Sequence, residues 1–122
     1  MSKQILIVDD SESILEVVGF TLEEAGYQVH KGCDGLNALE VLKTVGKVDL
    51  ILTDLHMPNM DGINFIKEVR QKDDYKFIPI LFLTTESQQE KKQQAKEAGA
   101  TGWIIKPFAP DKLLAAISRV IR

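Results

Sequence analysis

The sequence has little of what would mark a disulfide-bonded, membrane-spanning or nucleic-acid-binding protein. Its 122 residues include one cysteine, Cys33, so no internal disulfide can form. The longest apolar run covers residues 78–83, far short of the roughly 20 residues that span a bilayer. Lysine and arginine total 15 against 18 acidic residues, and no basic stripe marks a nucleic-acid surface. The N-terminal segment reaches Asp9 too soon for a signal peptide, so we expect a cytoplasmic protein that binds neither membrane nor nucleic acid.

The remaining composition is that of one ordinary globular domain. Hydrophobic residues make up 44% of the chain and charged residues 27%. A chain of 122 residues fits a single hydrophobic core. No repeat, low-complexity tract or linker interrupts it. We therefore expect a single domain over residues 1–122, present as a monomer.

Short apolar runs alternate with helix-like stretches along the chain. Strands are predicted at residues 4–8, 27–31, 49–53, 78–83 and 103–105. Helices are predicted after Ser11, Asp34 and Asp61, over residues 88–97, and from Pro110 onward. This alternation predicts an α/β fold, a doubly wound parallel sheet of five strands in the order 2-1-3-4-5 with five helices, as in flavodoxin-like proteins.

The fourth predicted helix differs from the others in its lack of apolar residues. Ser87 and Glu90 form a plausible capping box at its start. Beyond Ala95 it offers almost nothing to bury, so we expect a weakly anchored surface helix. It is either a solvated helix or a movable element beside the end of the fourth strand.

Polar side chains stand at the ends of four predicted strands. These residues are Asp9 and Asp10 after the first strand, Asp54 after the third, Thr84 and Thr85 after the fourth, and Lys106 after the fifth. The carboxyl ends of parallel strands meet at one edge of a sheet, and ligands bind there in open α/β sheets. The sequence therefore predicts a crevice that gathers three carboxylates, the Thr84 hydroxyl group and the Lys106 ammonium group.

Three carboxylates in one crevice repel each other unless a cation is bound between them. Magnesium prefers oxygen ligands and keeps several of its waters. We expect Asp10 and Asp54 to be direct ligands, Asp9 to act through water, and the backbone carbonyl of His56 to complete the protein's contribution.

An aspartate beside such a cation can act as a nucleophile and form an aspartyl phosphate. Lys106, the Thr84 hydroxyl and the Thr85 backbone N–H can contact the phosphoryl oxygens. Taken singly, each residue has a simpler interpretation, such as a helix cap, a turn or a solvated surface charge. Their joint alignment at four strand ends favours a site.

The motifs around these residues resemble those of a known family. They are residues 5–11 (ILIVDDS), 49–62 (DLILTDLHMPNMDG), 83–85 (LTT) and 106–108 (KPF). The chain resembles the receiver domains of two-component response regulators, most closely the stand-alone CheY-like kind, from residue 5 to about residue 121. The resemblance implies that Asp54 accepts a phosphoryl group from a phosphohistidine on a sensor histidine kinase. It also implies that Asp9 and Asp10 bind magnesium, and that Thr84 and Lys106 read out the phosphate.

The resemblance further implies a switch. The Thr84 hydroxyl moves toward the phosphate, and an aromatic residue on the fifth strand, usually Tyr or Phe, turns inward. Trp103 stands at that position, and we expect it to sense activation. A cis peptide bond is implied before Pro107. His56 and Glu86 lie where the family varies, and we expect them to tune the rate of dephosphorylation.

The expected function is that of a two-component response regulator and not of an enzyme with external substrates. Phosphorylation would switch the face made of helix four, strand five and helix five, and so control binding of a downstream protein. The alternatives are a phosphorelay intermediate that passes phosphate to a histidine phosphotransfer protein, and a receiver from a longer regulator.

Three other classes are disfavoured by the sequence. A flavin-binding protein would need a phosphate loop where residues 9–12 place three acidic side chains. A haloacid dehalogenase-type phosphatase would need a second aspartate where His56 stands. A degenerate receiver would lack site residues, and all are present here.

Overall fold

The computed structural model describes residues 2–85 and 91–121. The strands in these ranges are β1 (Gln4–Val8), β2 (Gln28–Gly32), β3 (Leu50–Asp54), β4 (Ile80–Thr85) and β5 (Gly102–Lys106). The helices are α1 (Glu12–Glu24), α2 (Gly35–Val45), α3 (Gly62–Arg70), α4 (Lys91–Ala98) and α5 (Pro110–Val120), with a 3₁₀ turn at Asp73–Tyr75. None of the helices in these ranges is both long and apolar enough to cross a lipid bilayer.

All five strands lie in one parallel sheet with the order β2-β1-β3-β4-β5. The predicted fold class and strand order are therefore confirmed. Successive residues of the central strands point to opposite faces, and both faces are covered. One face packs under α2, α3 and α4 and includes Leu6, Val8, Ile51 and Phe82. The other packs under α1 and α5 and includes Ile5, Ile7, Leu50 and Leu52.

Side-chain caps fix where three helices begin. Ser11 Oγ accepts a hydrogen bond of 3.3 Å from the Ile14 backbone N–H at the start of α1. Asp34 and Asp61 cap α2 and α3 in the same way. Each cap satisfies a backbone N–H that the helix leaves without a partner. The helices after β1, β2 and β3 therefore all start at the edge of the sheet that holds the strand-end carboxylates.

The strands that reach this edge run further than the sequence predicted. The β4–β5 ladder continues through Thr84↔Ile105 and Thr85↔Lys106, and β3 includes Asp54. At the other end, β4 starts at Ile80 and not at residue 78. The Ile78 carbonyl instead accepts a hydrogen bond of 2.7 Å from Arg70 Nη1, and Pro79 has no N–H to donate to a ladder. The polar strand-end residues thus stand on the sheet, which holds their backbones in place.

The described part of α4 is thinly anchored, as predicted. Ala95 and Ala98 are its buried residues, at 3% and 8% exposure, and Ala98 extends the helix one residue beyond the predicted end. Lys91 and Lys92 are half-buried against the neighbouring elements. The predicted capping box, Ser87 and Glu90, lies outside the described residues, as does Glu86.

Candidate functional site

Three carboxylates meet at the carboxyl edge of the sheet. Asp9 and Asp10 follow β1, and Asp54 ends the adjacent strand β3, where Val8 pairs with Thr53. One oxygen from each of the three lies within 4.8 Å of the others. Asp9 is buried, Asp54 is half-buried and Asp10 is exposed. The arrangement is a cluster of oxygen donors that opens to solvent on the side of Asp10.

Lys106 brings a cation into this cluster from the end of β5. Its ammonium nitrogen lies 3.2 Å from Asp9 Oδ2 and 3.2 Å from Asp54 Oδ1. The Lys106–Pro107 peptide bond is cis. One ammonium group against three carboxylates leaves two negative charges uncompensated. A divalent cation with a preference for oxygen ligands matches this balance of charge and donor type.

The carboxylates of Asp9 and Asp54 differ in how many of their oxygens accept hydrogen bonds. Asp9 uses both oxygens, one for the Ser11 backbone N–H at 2.9 Å and one for Lys106. Asp54 Oδ1 accepts from the Leu55 N–H at 2.9 Å and from Lys106 at 3.2 Å. Within the described ranges Asp54 Oδ2 accepts no hydrogen bond. Asp10 and this Asp54 oxygen are therefore the donors most available to a metal ion.

The environment of Asp54 disfavours its charge. Burial raises the pKa of the Asp54 carboxyl above its ordinary value, and the neighbouring charge of Asp9 raises it further. Lys106 and the Leu55 N–H lower the pKa, but they do not reverse the direction. A bound cation would stabilise the ionised carboxylate, which is the nucleophilic form.

The β3–α3 loop approaches the site closely because residue 62 is a glycine. A Cβ at Gly62 would collide with the Asp54 carbonyl oxygen and with the Phe82 ring. The Gly62 N–H donates a hydrogen bond of 2.9 Å to the Leu55 carbonyl. His56 lies in this loop with an exposed side chain, and it lines a groove between α3 and α4 with Asp61, Asn64, Lys67, Lys91 and Gln94. The imidazole thus faces the groove beside α4.

Thr84 is the second-last residue of β4, the strand beside β3, and its hydroxyl group is unusual. The residue is 4% exposed, and its hydroxyl has no hydrogen-bond partner among the described residues. A buried polar group left unpaired costs roughly 1–3 kcal/mol. The hydroxyl lines a narrow crevice with Leu55, Phe82, Ala95 and Trp103. Such a donor is ready for an acceptor that enters beside Asp54. Thr85, the next residue, ends β4 with an exposed side chain.

Trp103 lines the same crevice as Thr84. It is half-buried on β5, and the Lys92 ammonium lies 4.8 Å from the centre of its ring. This cation–π contact joins α4 to β5 beside Thr84. The Lys92–Trp103 contact could not be predicted from the sequence, because a lysine on a polar helix is normally expected to be solvated.

The chain is similar over nearly its whole length to known signalling proteins. A family model described as response regulator receiver domain matches residues 5–118. Chemotaxis protein CheY-3 of Vibrio cholerae is 36% identical over 118 residues, which cover 96% of this chain and 90% of that protein. The solved structure of chemotaxis response regulator CheY4 of Vibrio cholerae superposes with a TM-score of 0.94 at 47% identity, covering 99% of this chain and 100% of that one.

Longer proteins also match. The alkaline phosphatase synthesis transcriptional regulatory protein PhoP of Bacillus subtilis is 38% identical over 122 residues, and the chain spans 50% of its length. The phosphate regulon transcriptional regulatory protein PhoB of Escherichia coli is 37% identical, and the chain spans 53% of it. The chain therefore covers nearly all of some relatives and about half of others.

Proposed function

The chain belongs to the response regulator receiver domain family, and from that premise we propose that it accepts a phosphoryl group on Asp54 in a magnesium-dependent reaction. The observation that carries this proposal is the convergence of Lys106 and Asp54, whose charged atoms lie 3.2 Å apart. A nucleophilic carboxylate and a phosphate-binding ammonium group would then share one crevice.

We propose that Asp10, Asp54 and the His56 backbone carbonyl hold the magnesium ion, with Asp9 acting through water. The oxygen-only donor set and the net negative charge of the cluster support this. When bound, the ion supplies charge neutralisation for the carboxylates and for the incoming phosphoryl oxygens.

The proposed reaction is an in-line displacement at phosphorus. An Asp54 carboxylate oxygen attacks the phosphorus of a phosphohistidine, the P–N bond breaks, and the imidazole leaves. Lys106 contacts one phosphoryl oxygen as a point charge, and the Thr84 hydroxyl and the Thr85 backbone N–H donate to the others. The unpaired buried hydroxyl of Thr84 gains its missing partner in this state.

Loss of the phosphoryl group needs only water as co-reactant. Water attacks phosphorus, the bond to Asp54 breaks, and the carboxylate and inorganic phosphate are regenerated. Because the chain modifies only itself in these steps, we propose a signalling protein and not an enzyme with external substrates. We place the exposed His56 side chain at the rim of the site, and from the sequence we propose that His56 and Glu86 tune the rate at which water removes the phosphoryl group.

The output is proposed to pass through α4, β5 and α5. Thr84 would move toward the phosphoryl group, and Trp103 would follow into the space it leaves, which alters the surface beside Lys92. A downstream protein would then bind this face of a cytoplasmic, monomeric receiver. The phosphoryl donor would be a sensor histidine kinase or a histidine phosphotransfer protein.

The proposal is tested by incubation with acetyl phosphate, a small phosphoryl donor, followed by intact mass measurement. We expect a mass increase of one phosphoryl group that requires magnesium and disappears with a chelator. The Asp54→Asn variant is the control and should gain no mass. An unchanged wild-type mass in magnesium, or equal labelling of the variant, would overturn the proposal.

A further inference from the structure

We propose that Asp34, at the start of α2, is a positioning residue for the metal site: its hydrogen bond to Asn59 fixes the β3–α3 loop and thereby the His56 carbonyl. The inference rests on the proposed function, because it concerns the same magnesium site. Asp34 itself does not belong to the carboxylate cluster.

The two oxygens of Asp34 have different partners. Oδ1 accepts a hydrogen bond of 2.8 Å from the Asn37 backbone N–H and caps α2. Oδ2 accepts a hydrogen bond of 2.8 Å from Asn59 Nδ2 in the β3–α3 loop. The side chain is buried at 8% exposure, and both bonds hold the pKa of the carboxyl below its ordinary value. Capping needs only one oxygen, so the second is available to hold the loop.

Asn59, which donates the hydrogen bond to Asp34, has an uncommon backbone conformation. Its φ is +69°, in the left-handed region that asparagine tolerates better than most residues. The next residue, Met60, packs so tightly on Gly35 that a Cβ there would lie 2.7 Å from Met60 Cγ. The Gly35 N–H also donates a hydrogen bond of 3.3 Å to the Met60 carbonyl. The first turn of α2 therefore holds the middle of the loop at two successive residues.

Gly32, the residue that ends β2 just before this turn, is hydrogen-bonded to the β1 side of the proposed metal site. The Asp9 backbone N–H donates a hydrogen bond of 3.1 Å to the carbonyl of Gly32, two residues before Asp34. The intervening Cys33 N–H donates to Asn37 Oδ1 at 2.9 Å, which closes the turn on itself. The segment from Gly32 to Gly35 thus contacts the Asp9 backbone on one side and the β3–α3 loop on the other, and through these two contacts it would set the spacing between the proposed ligands.

The test compares two variants that lose the same charge. In Asp34→Ser the hydroxyl can still cap α2, but it cannot reach Asn59 as a second acceptor. In Asp34→Asn the side-chain oxygen can cap α2, and its NH₂ can donate to Asn59 once that amide turns over. A merely electrostatic role would weaken magnesium binding equally in both variants.

Magnesium affinity is measured by calorimetric titration of the full chain, and folding stability by urea denaturation in chelator. We expect Asp34→Ser to bind magnesium about 10-fold more weakly than wild type, the usual size for loss of a metal site's supporting contacts. Asp34→Asn should stay close to wild type. In an Asn59→Gly background, where the loop partner is already gone, Asp34→Ser should cause no further loss.

Equal magnesium affinity in Asp34→Ser and Asp34→Asn would overturn the inference, even if Asp34→Ser lowers stability. Failure of the proposed function has a different signature: the wild type would itself show no magnesium binding that Asp54→Asn abolishes, and both proposals would then fall. Magnesium binding in the wild type with no separation between the two Asp34 variants would overturn only the positioning role.

Discussion

The Lys106 ammonium group lies 3.2 Å from the Asp54 carboxylate, with the two residues at the last positions of β5 and β3. In the metal-free protein this ammonium group neutralises part of the negative charge of Asp9 and Asp54, the charge that would also attract a metal ion. We therefore expect Lys106 to have two opposed effects: it should compete with magnesium for Asp9 and Asp54, and it should attract the phosphoryl group. The effects should separate experimentally.

Lys106→Met removes the charge and keeps an unbranched side chain. We expect magnesium affinity to rise severalfold, because the carboxylate cluster loses its resident cation. Affinity for beryllofluoride, a phosphoryl mimic, should fall at least 10-fold with loss of a charge-assisted contact. Titrations with each ligand measure the two constants, and Lys112→Met, an exposed lysine on α5, is the matched control. If Lys106→Met binds both magnesium and beryllofluoride more weakly than the wild type, the two effects of Lys106 are not opposed.

Asp54→Asn should stabilise the metal-free protein at neutral pH. The folded-state pKa of Asp54 is raised by burial and by Asp9. The contribution of protonated Asp54 to the unfolding free energy is therefore fully present below the pKa of the unfolded state, and it is lost as pH rises through the higher pKa of the folded state. In chelator at pH 7 we expect the variant to have a higher unfolding free energy than the wild type. The gain should vanish as pH falls below about 4.

In magnesium we expect the wild type to be more stable than Asp54→Asn, because the ion should bind the folded wild type and not the variant, which lacks the Asp54 carboxylate. A concentration 100-fold above Kd adds about 2.7 kcal/mol to the wild type. Urea denaturation with and without magnesium measures both effects. If the variant is less stable than wild type in chelator at pH 7, the charge balance described for Asp54 is wrong.

Lys92→Met should ease activation. The Lys92 ammonium lies 4.8 Å from the Trp103 ring centre, and such a contact stabilises the resting position by about 0.5–1 kcal/mol at a partly exposed site. If Trp103 turns inward on activation, loss of the contact should raise beryllofluoride affinity about two- to five-fold. Trp103 emission reports the titration, and Lys96→Met, an exposed lysine on the same helix, is the control. Identical affinities in the two lysine variants would show that Lys92 does not restrain Trp103.

His56→Ala should change the lifetime of the phosphorylated protein more than its magnesium affinity. The proposed ligand is the backbone carbonyl, which the substitution retains, while the exposed imidazole borders the groove beside α4. Truncation opens the rim to water, so we expect a lifetime shortened severalfold with an unchanged magnesium Kd. Decay of the phosphoprotein after removal of the donor gives the lifetime. Equal decay rates in the two proteins would refute a tuning role for His56.

The strand order and the carboxylate cluster could be predicted from the sequence because each depends on a local pattern. Apolar runs alternating with amphipathic stretches specify a parallel sheet, and the edge rule then gathers Asp9, Asp54 and Lys106. The sequence places the carboxyl ends of β4 and β5 two residues and one residue too early, because a polar residue such as Thr84 does not end a ladder whose partner strand continues.

The contacts that hold the site in shape could not be predicted in this way. Asp34 and Asn59 are 25 residues apart and meet through two loops whose paths depend on the assembled sheet. Asp34 was recognised as a helix start, but capping explains only one of its oxygens. The Lys92–Trp103 contact likewise depends on how α4 packs across β5, which a helix with so few apolar residues does not specify.

The central claim, that Asp54 is the phosphoryl acceptor, is tested most directly by chemical trapping. Borohydride reduces an acyl phosphate at the carbonyl carbon with loss of phosphate, which converts an aspartyl phosphate to homoserine. After treatment with acetyl phosphate and magnesium, peptide mapping should find homoserine at position 54, and none when magnesium is chelated. Reduction at another aspartate, or an unreduced position 54 in a labelled protein, would contradict the account.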